Sequence, residues 1–209
     1  RRVQDEMQRA GVPAGAEVML VGHSLGAMTA MNLARDGAFN QPGNASADGA
    51  YHVQVTHVVA AAAGVREWVD DPPKGTSVLL AVNRNDAVTE AIQHGKPVEV
   101  AALPLTLGAM AKHGIDAAPS AIVHDVFDLV DARSRTVGSP DRVVMEFSSN
   151  SGLIGHDYAN YQLGLNHADA AARHVLDDAA ARYFTGGGQV QSVQIDLPDH
   201  VARPAGGGW

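Results

Sequence analysis

Apolar residues along this chain come in short continuous runs, separated by segments of mixed, helix-like pattern. Glu17–Val21 reads EVMLV, a run with no helical period. Bounded by turn residues, it predicts a strand buried on both faces. Val53–Ala63, Val78–Val82 and Val143–Phe147 repeat the pattern. The segments between them differ. VQDEMQRAGVPAG predicts a short helix ending at Gly11, followed by a Pro/Gly turn. Leu25–Arg35 carries small or flexible residues nearly all round, which suits a helix packed on a sheet. Asn166–Phe184 predicts one long helix, with Asn166 as its N-cap and Gly186–Gly188 ending it. Strands that alternate with helices predict an α/β fold, with a mostly parallel sheet covered by helices on both faces.

Two stretches interrupt this order. Thr89–Asp141 is long for a connection between successive strands. Within it PVEVAALPL predicts a short strand or the edge of a lid. PSAIVHDVFDLVDARS spaces its apolar residues as an amphipathic helix does. The end of the chain, VQSVQIDLPDHVARPAGGGW, has one alternating stretch and a Gly/Pro-rich terminus. The pattern thus predicts a domain over 1–188 with an insert at about 89–141, and an arm or tail over 189–209. DGAFNQPGNASADGA and DPPKGTS read as loops, and there is no internal repeat.

Composition narrows the classes without selecting one. The chain has 209 residues, 45% of them hydrophobic and 18% charged, ordinary for a globular domain. A net charge of −8 and the lack of a Lys/Arg block argue against nucleic-acid binding, which needs a basic face. With no cysteine there is no disulfide, thiolate metal site or cysteine nucleophile. No apolar run approaches the roughly 20 residues that span a bilayer. The opening RRVQDEMQRAGVPAG lacks an apolar core and does not read as a signal peptide. The compartment stays open. Ten histidines invite a metal reading, but there is no H-E-x-x-H, and the pairs His52/His57 and His167/His174 form no ligand set. Scattered surface histidines, with no metal and no cofactor, are the expectation.

The chemistry concentrates where the first apolar run ends. Gly22-His23-Ser24-Leu25-Gly26 joins that strand to the helix after it. A serine on a sharp strand-to-helix turn projects its Oγ above the sheet, and a Cβ at position 22 or 26 would crowd the turn. The Leu25 amide then opens the helix and can donate to a developing oxyanion. A phosphate-binding turn would need a Lys-Ser/Thr pair after the glycines, and SLGAM has none.

With this GHSLG elbow the chain resembles the α/β-hydrolase family, in particular its lipase- and esterase-like members. The resemblance implies Ser24 as nucleophile, the Leu25 amide as one oxyanion donor, and the chain order nucleophile, acid, histidine. It places the acid after the second strand beyond the elbow, where SVLLAVNRND ends at Asp86. An aspartate there has three ordinary uses: triad acid, helix N-cap and exposed loop acid. Asp70 and Asp71 come one strand too early, and Asp125, Asp128 and Asp131 fall in the predicted helix. The base should follow the next strand, and His156 lies in the loop after RVVMEF, in GHDYANY. His23, within the elbow, is expected to flank the pocket.

The resemblance covers about 17–184. Only 23 residues precede Ser24, room for one helix. The family places several strands before its nucleophile strand. The N-terminal strands, and with them the usual second oxyanion amide, are therefore expected from a missing segment or a partner chain. The implied activity is serine hydrolysis of a carboxylic ester or lipid acyl group through a Ser24–His156–Asp86 triad. PLTLGAMAKHGI, within the insert, is apolar enough to line an acyl site. The same fold would also serve an acyltransferase, a thioesterase or a non-catalytic binding domain.

Overall fold

Helices α1 (Arg2–Arg9) and α2 (Leu25–Arg35) and strands β1 (Glu17–His23), β2 (Gln54–Ala61) and β3 (Ser77–Asn83) follow the sequence pattern closely. They are followed by α3 (Ala87–His94), β4 (Asp131–Val137), β5 (Ser139–Ser148), a 3-10 turn (Ile154–His156), α4 (Tyr158–Asn166) and α5 (Ala170–Tyr183). The structure is a computed structural model and describes residues 2–41, 50–63, 75–94, 131–137, 139–149 and 154–184.

The sheet has five strands in the order β1-β2-β3-β5-β4. β1, β2, β3 and β5 run parallel, while β4 pairs antiparallel with β5. The fold is thus α/β with a mixed, mostly parallel sheet. In register, Leu20, Val58 and Val78 lie side by side, as do Leu80 and Val144.

Alternate residues of the central strands serve opposite faces, as the two-residue period of a strand demands. On one face Val58, Ala60, Val78, Leu80 and Val82 pack with Ala27, Ala30, Met31 and Ala34 of α2. On the other Val59, Ala61, Leu79, Ala81, Met145 and Phe147 pack with Tyr161 of α4 and Ala172 and Val175 of α5. Small residues along α2 let it lie close to the sheet, and that fixes where its first turn sits. On α4 the approach is closer still: a Cβ at Gly164 would lie 2.7 Å from the Phe147 ring.

Several expectations change. β1 is not buried on both faces: none of its residues is fully buried, and Val21 is 64% exposed. It lies at the end of the described sheet, so only one side of it has a neighbouring strand. β2 and β3 are the strands buried on both faces. The single helix expected over Asn166–Phe184 is two helices. Asp169, not Asn166, caps the second, its carboxylate accepting from the Ala172 amide at 3.2 Å. Asp157 caps α4, accepting from the Ala159 amide at 2.8 Å, where a loop was expected. Asp131 opens β4 rather than lying in a helix, because this stretch pairs with β5 and tertiary pairing overrides local periodicity.

The interval 89–141 thus contains most of α3 and the β4 strand. Residues 95–130, with PVEVAALPL and most of the amphipathic segment, lie outside the described residues, as do Asp70, Asp71 and the tail over 189–209. No described helix is long and apolar enough to cross a membrane.

Candidate active site

Three parallel strands, β1, β3 and β5, lead at their carboxyl ends into segments that meet above the sheet. β1 leads into Ser24, whose backbone amide donates to the Ala61 carbonyl of β2 at 2.8 Å. Ser24 has φ 56° and ψ −124°, a conformation that non-glycine residues rarely adopt. This is the sharp turn expected of the elbow. Its glycines are unequal. A Cβ at Gly22 would lie 2.3 Å from the Gly26 carbonyl oxygen, so position 22 requires glycine. A Cβ at Gly26 would meet nothing within 4 Å, so the crowding expected there is absent. The Leu25 amide lies in the first turn of α2, where N–H groups have no acceptor within the helix.

β3 leads into Asp86, a side chain only 1% exposed. Its two oxygens have separate partners. Oδ1 accepts the amides of Val88 at 2.9 Å and Thr89 at 3.0 Å, which caps α3. Oδ2 accepts from His156 Nδ1 at 2.8 Å, from the Tyr161 hydroxyl at 2.7 Å and from the Thr89 hydroxyl at 2.5 Å. Cap and histidine partner are realised at once, and the burial of Asp86 overturns the exposed-loop alternative. Burial alone would raise its pKa. The hydrogen bonds from His156, Thr89 and Tyr161 outweigh burial and hold the carboxyl below its ordinary value.

The chain beyond β5 reaches the 3-10 turn that presents His156. Asn83, at the end of β3, is 2% exposed and ties the two loops together. Its amide Nδ2 donates to Ser149 Oγ and to the Gly155 carbonyl, both at 2.9 Å. Its Oδ1 accepts the Asn85 amide at 3.1 Å and the Ser149 amide at 3.3 Å. The residue before His156 is thereby anchored to the strand that bears Asp86.

Ser24, His156 and Asp86 form one hydrogen-bonded line. His156 Nε2 lies 2.8 Å from Ser24 Oγ, and Nδ1 lies 2.8 Å from Asp86 Oδ2. An ionised Asp86 only accepts, so Nδ1 carries the proton and Nε2 is left to accept from the serine hydroxyl. Such a line can draw a proton from Ser24 Oγ as the oxygen attacks an electrophile, and can stabilise the imidazolium that results.

His23 flanks this line. Its ring centroid lies 5.1 Å from that of His156, 5.9 Å from Tyr158 and 5.4 Å from Tyr161. Burial lowers its pKa, and the charge of a nearby His156 lowers it further, which favours the neutral ring. Leu25 and Tyr158 leave apolar surface exposed at 68% and 61%.

Pattern reading did not single out Tyr161, Thr89 or Asn83. Asp86 read as an N-cap would put Thr89 in the first helical turn, but the Glu or Gln of a capping box is not at that position, so the pattern gave Thr89 no signal of its own. Nothing local marks Tyr161, 75 positions away from Asp86 along the chain. The remaining histidines do not gather here. His57 is 1% exposed and His52 5%, so these two are buried and not surface residues. His57 Nε2 lies 2.9 Å from Asp178 Oδ2, and Nδ1 lies 3.0 Å from Thr56 Oγ1, near the other end of β2. Among the described residues no group of three or more His, Asp or Glu side chains is placed to hold a metal ion.

The fold and site together define an α/β protein with a Ser-His-Asp line at the carboxyl edge of its sheet. No family model, curated protein or solved structure matches the chain.

Proposed function

We propose that this chain is a serine hydrolase of the α/β-hydrolase type, acting on a carboxylic ester or lipid acyl group. The observation that carries the reading is the unbroken line from Ser24 Oγ through His156 to Asp86, two contacts of 2.8 Å each. Ser24 attacks the acyl carbon while His156 Nε2 takes its proton, and the buried Asp86 carboxylate orients the ring and stabilises the imidazolium. The Leu25 amide, at the positive end of the α2 dipole, donates to the oxyanion. His156 then returns the proton to the leaving alkoxide, which departs as the alcohol. Water, activated by the same imidazole, attacks the acyl-enzyme and releases the acid and free Ser24.

The strained backbone of Ser24 supports the reading independently. A cost of about 1–3 kcal/mol at such a conformation persists where the surroundings enforce it, and such residues cluster at functional sites. Here the Ala61 carbonyl and the close approach of Gly22 to Gly26 enforce it. The test is covalent labelling with a fluorophosphonate probe. Wild-type protein is expected to label at Ser24, and Ser24→Ala to remove the label. Undiminished labelling of the alanine variant rejects Ser24 as the nucleophile.

A further inference from the structure

We propose that Tyr161 is a positioning residue of this site, which together with Thr89 sets how strongly Asp86 holds the His156 imidazolium. The inference rests on the serine-hydrolase reading and adds a regulating element to it.

Among the described residues, Asp86 receives five donors. Two amides bind Oδ1, and His156, Tyr161 and Thr89 all bind Oδ2. A carboxylate offers about four lone-pair sites. On Oδ2 the histidine therefore shares its acceptor with two hydroxyls. Each hydroxyl draws negative charge toward itself, and what it draws is not available to the imidazolium.

Tyr161 is built for this contact. It is fully buried, and its ring lies edge-on to Phe147 with centroids 5.2 Å apart. Its oxygen accepts the Asn83 amide at 3.3 Å while its proton goes to Asp86. Burial and the neighbouring carboxylate push the phenol well above its ordinary range, which keeps the Tyr161 hydroxyl a donor to Asp86. A tyrosine needed only to fill the core would not require its hydroxyl 2.7 Å from Oδ2.

The groups that face the pair come from each packed element. His23 lies at the end of β1, Thr89 on α3, Asp157 and Tyr158 at the start of α4, and Tyr161 farther along it. Burial and His156 favour the neutral His23 ring, and Asp157 acts on it in the opposite sense. Among the described residues, the hydroxyls of Tyr161 and Thr89 contact Asp86 Oδ2 directly beside His156.

The experiment is the pH dependence of fluorophosphonate labelling rate, using the full chain. Labelling needs neutral His156, so its acid limb reports how firmly the imidazolium is held. Tyr161→Phe keeps the ring and removes the donor. Asp86 then attracts the imidazolium more strongly, and the acid limb moves to higher pH. A displacement of about half a unit would slow labelling roughly threefold on that limb. Thr89→Val removes the second hydroxyl and keeps the α3 amide contact, and is expected to move the limb the same way. It also reads the effect should Tyr161→Phe fold poorly. Ser24-dependent labelling with an unmoved acid limb in the folded variants, even with a lowered melting temperature, overturns the proposal and leaves the hydrolase reading standing. Wild-type protein without Ser24-dependent labelling overturns both.

Discussion

Asp86 divides its carboxylate between the cap of α3 and the contact with His156, and the two can be separated by substitution. Asp86→Asn keeps an oxygen for the Val88 and Thr89 amides, so the cap of α3 survives. Its NH2 group then faces His156, Tyr161 and Thr89, where the wild type places an acceptor. The histidine must take the other tautomer, with Nε2 protonated and no longer able to accept from Ser24. A loss of about 10³–10⁴ in labelling or turnover rate is expected, with only a modest fall in melting temperature. Asp86→Ala should lose both the cap and the rate. Kinetics and thermal melts on the two variants check this. Asp86 was legible in the sequence because a strand end, an acidic residue and a resemblance coincide there. Tyr161 was not, because no local pattern distinguishes a tyrosine aimed at a carboxylate from one in a polar loop.

The elbow shows how one element decides which of two similar residues matters. Gly22 and Gly26 look equivalent in G-x-S-x-G, yet only Gly22 is pressed against another backbone. Gly22→Ala would drive a Cβ into the Gly26 carbonyl at 2.3 Å, backbone against backbone, with no side chain to yield. Loss of folded protein or of Ser24 labelling is expected. Gly26→Ala sits in open space within α2 and should keep the label, gaining up to about 1 kcal/mol from helix propensity. Chemical denaturation and probe labelling distinguish the two. The same scale explains the misread helix. Asn166-His167-Ala168-Asp169 has no proline or glycine to mark a break, and the apolar spacing runs on through it. The break shows only where Asp169 turns its carboxylate to the Ala172 amide and also accepts the Ser134 amide of β4 at 2.7 Å.

Across the whole molecule, carboxylates tie elements that are far apart in sequence, and this makes stability depend on pH. Asp86 joins the end of β3 to α3, α4 and the histidine turn, and Asp169 joins α5 to β4. At Asp169 burial would raise the pKa, but the Ser134 contact and the α5 amides outweigh it and lower it. Both carboxyls therefore titrate lower in the folded chain than in the unfolded one. The stability they contribute is fully present above the ordinary carboxylate value of about 4, and is lost as pH falls through the folded values. The melting temperature should be nearly level from neutral pH to about 5 and fall below about 4. Asp169→Asn should reduce that fall and lower the melting temperature at neutral pH, which a series of thermal melts would show. By itself the sequence determined the short apolar runs as strands, the strand-to-helix turn at Ser24 and the order of the candidate residues, because these depend on neighbours along the chain. Only the tertiary structure decided that β4 pairs antiparallel with β5, that α4 and α5 are separate, and that Tyr161, Thr89 and Asn83 surround Asp86 and His156. Those outcomes depend on which buried donors find which acceptors when distant segments meet, and spacing in one dimension does not encode that.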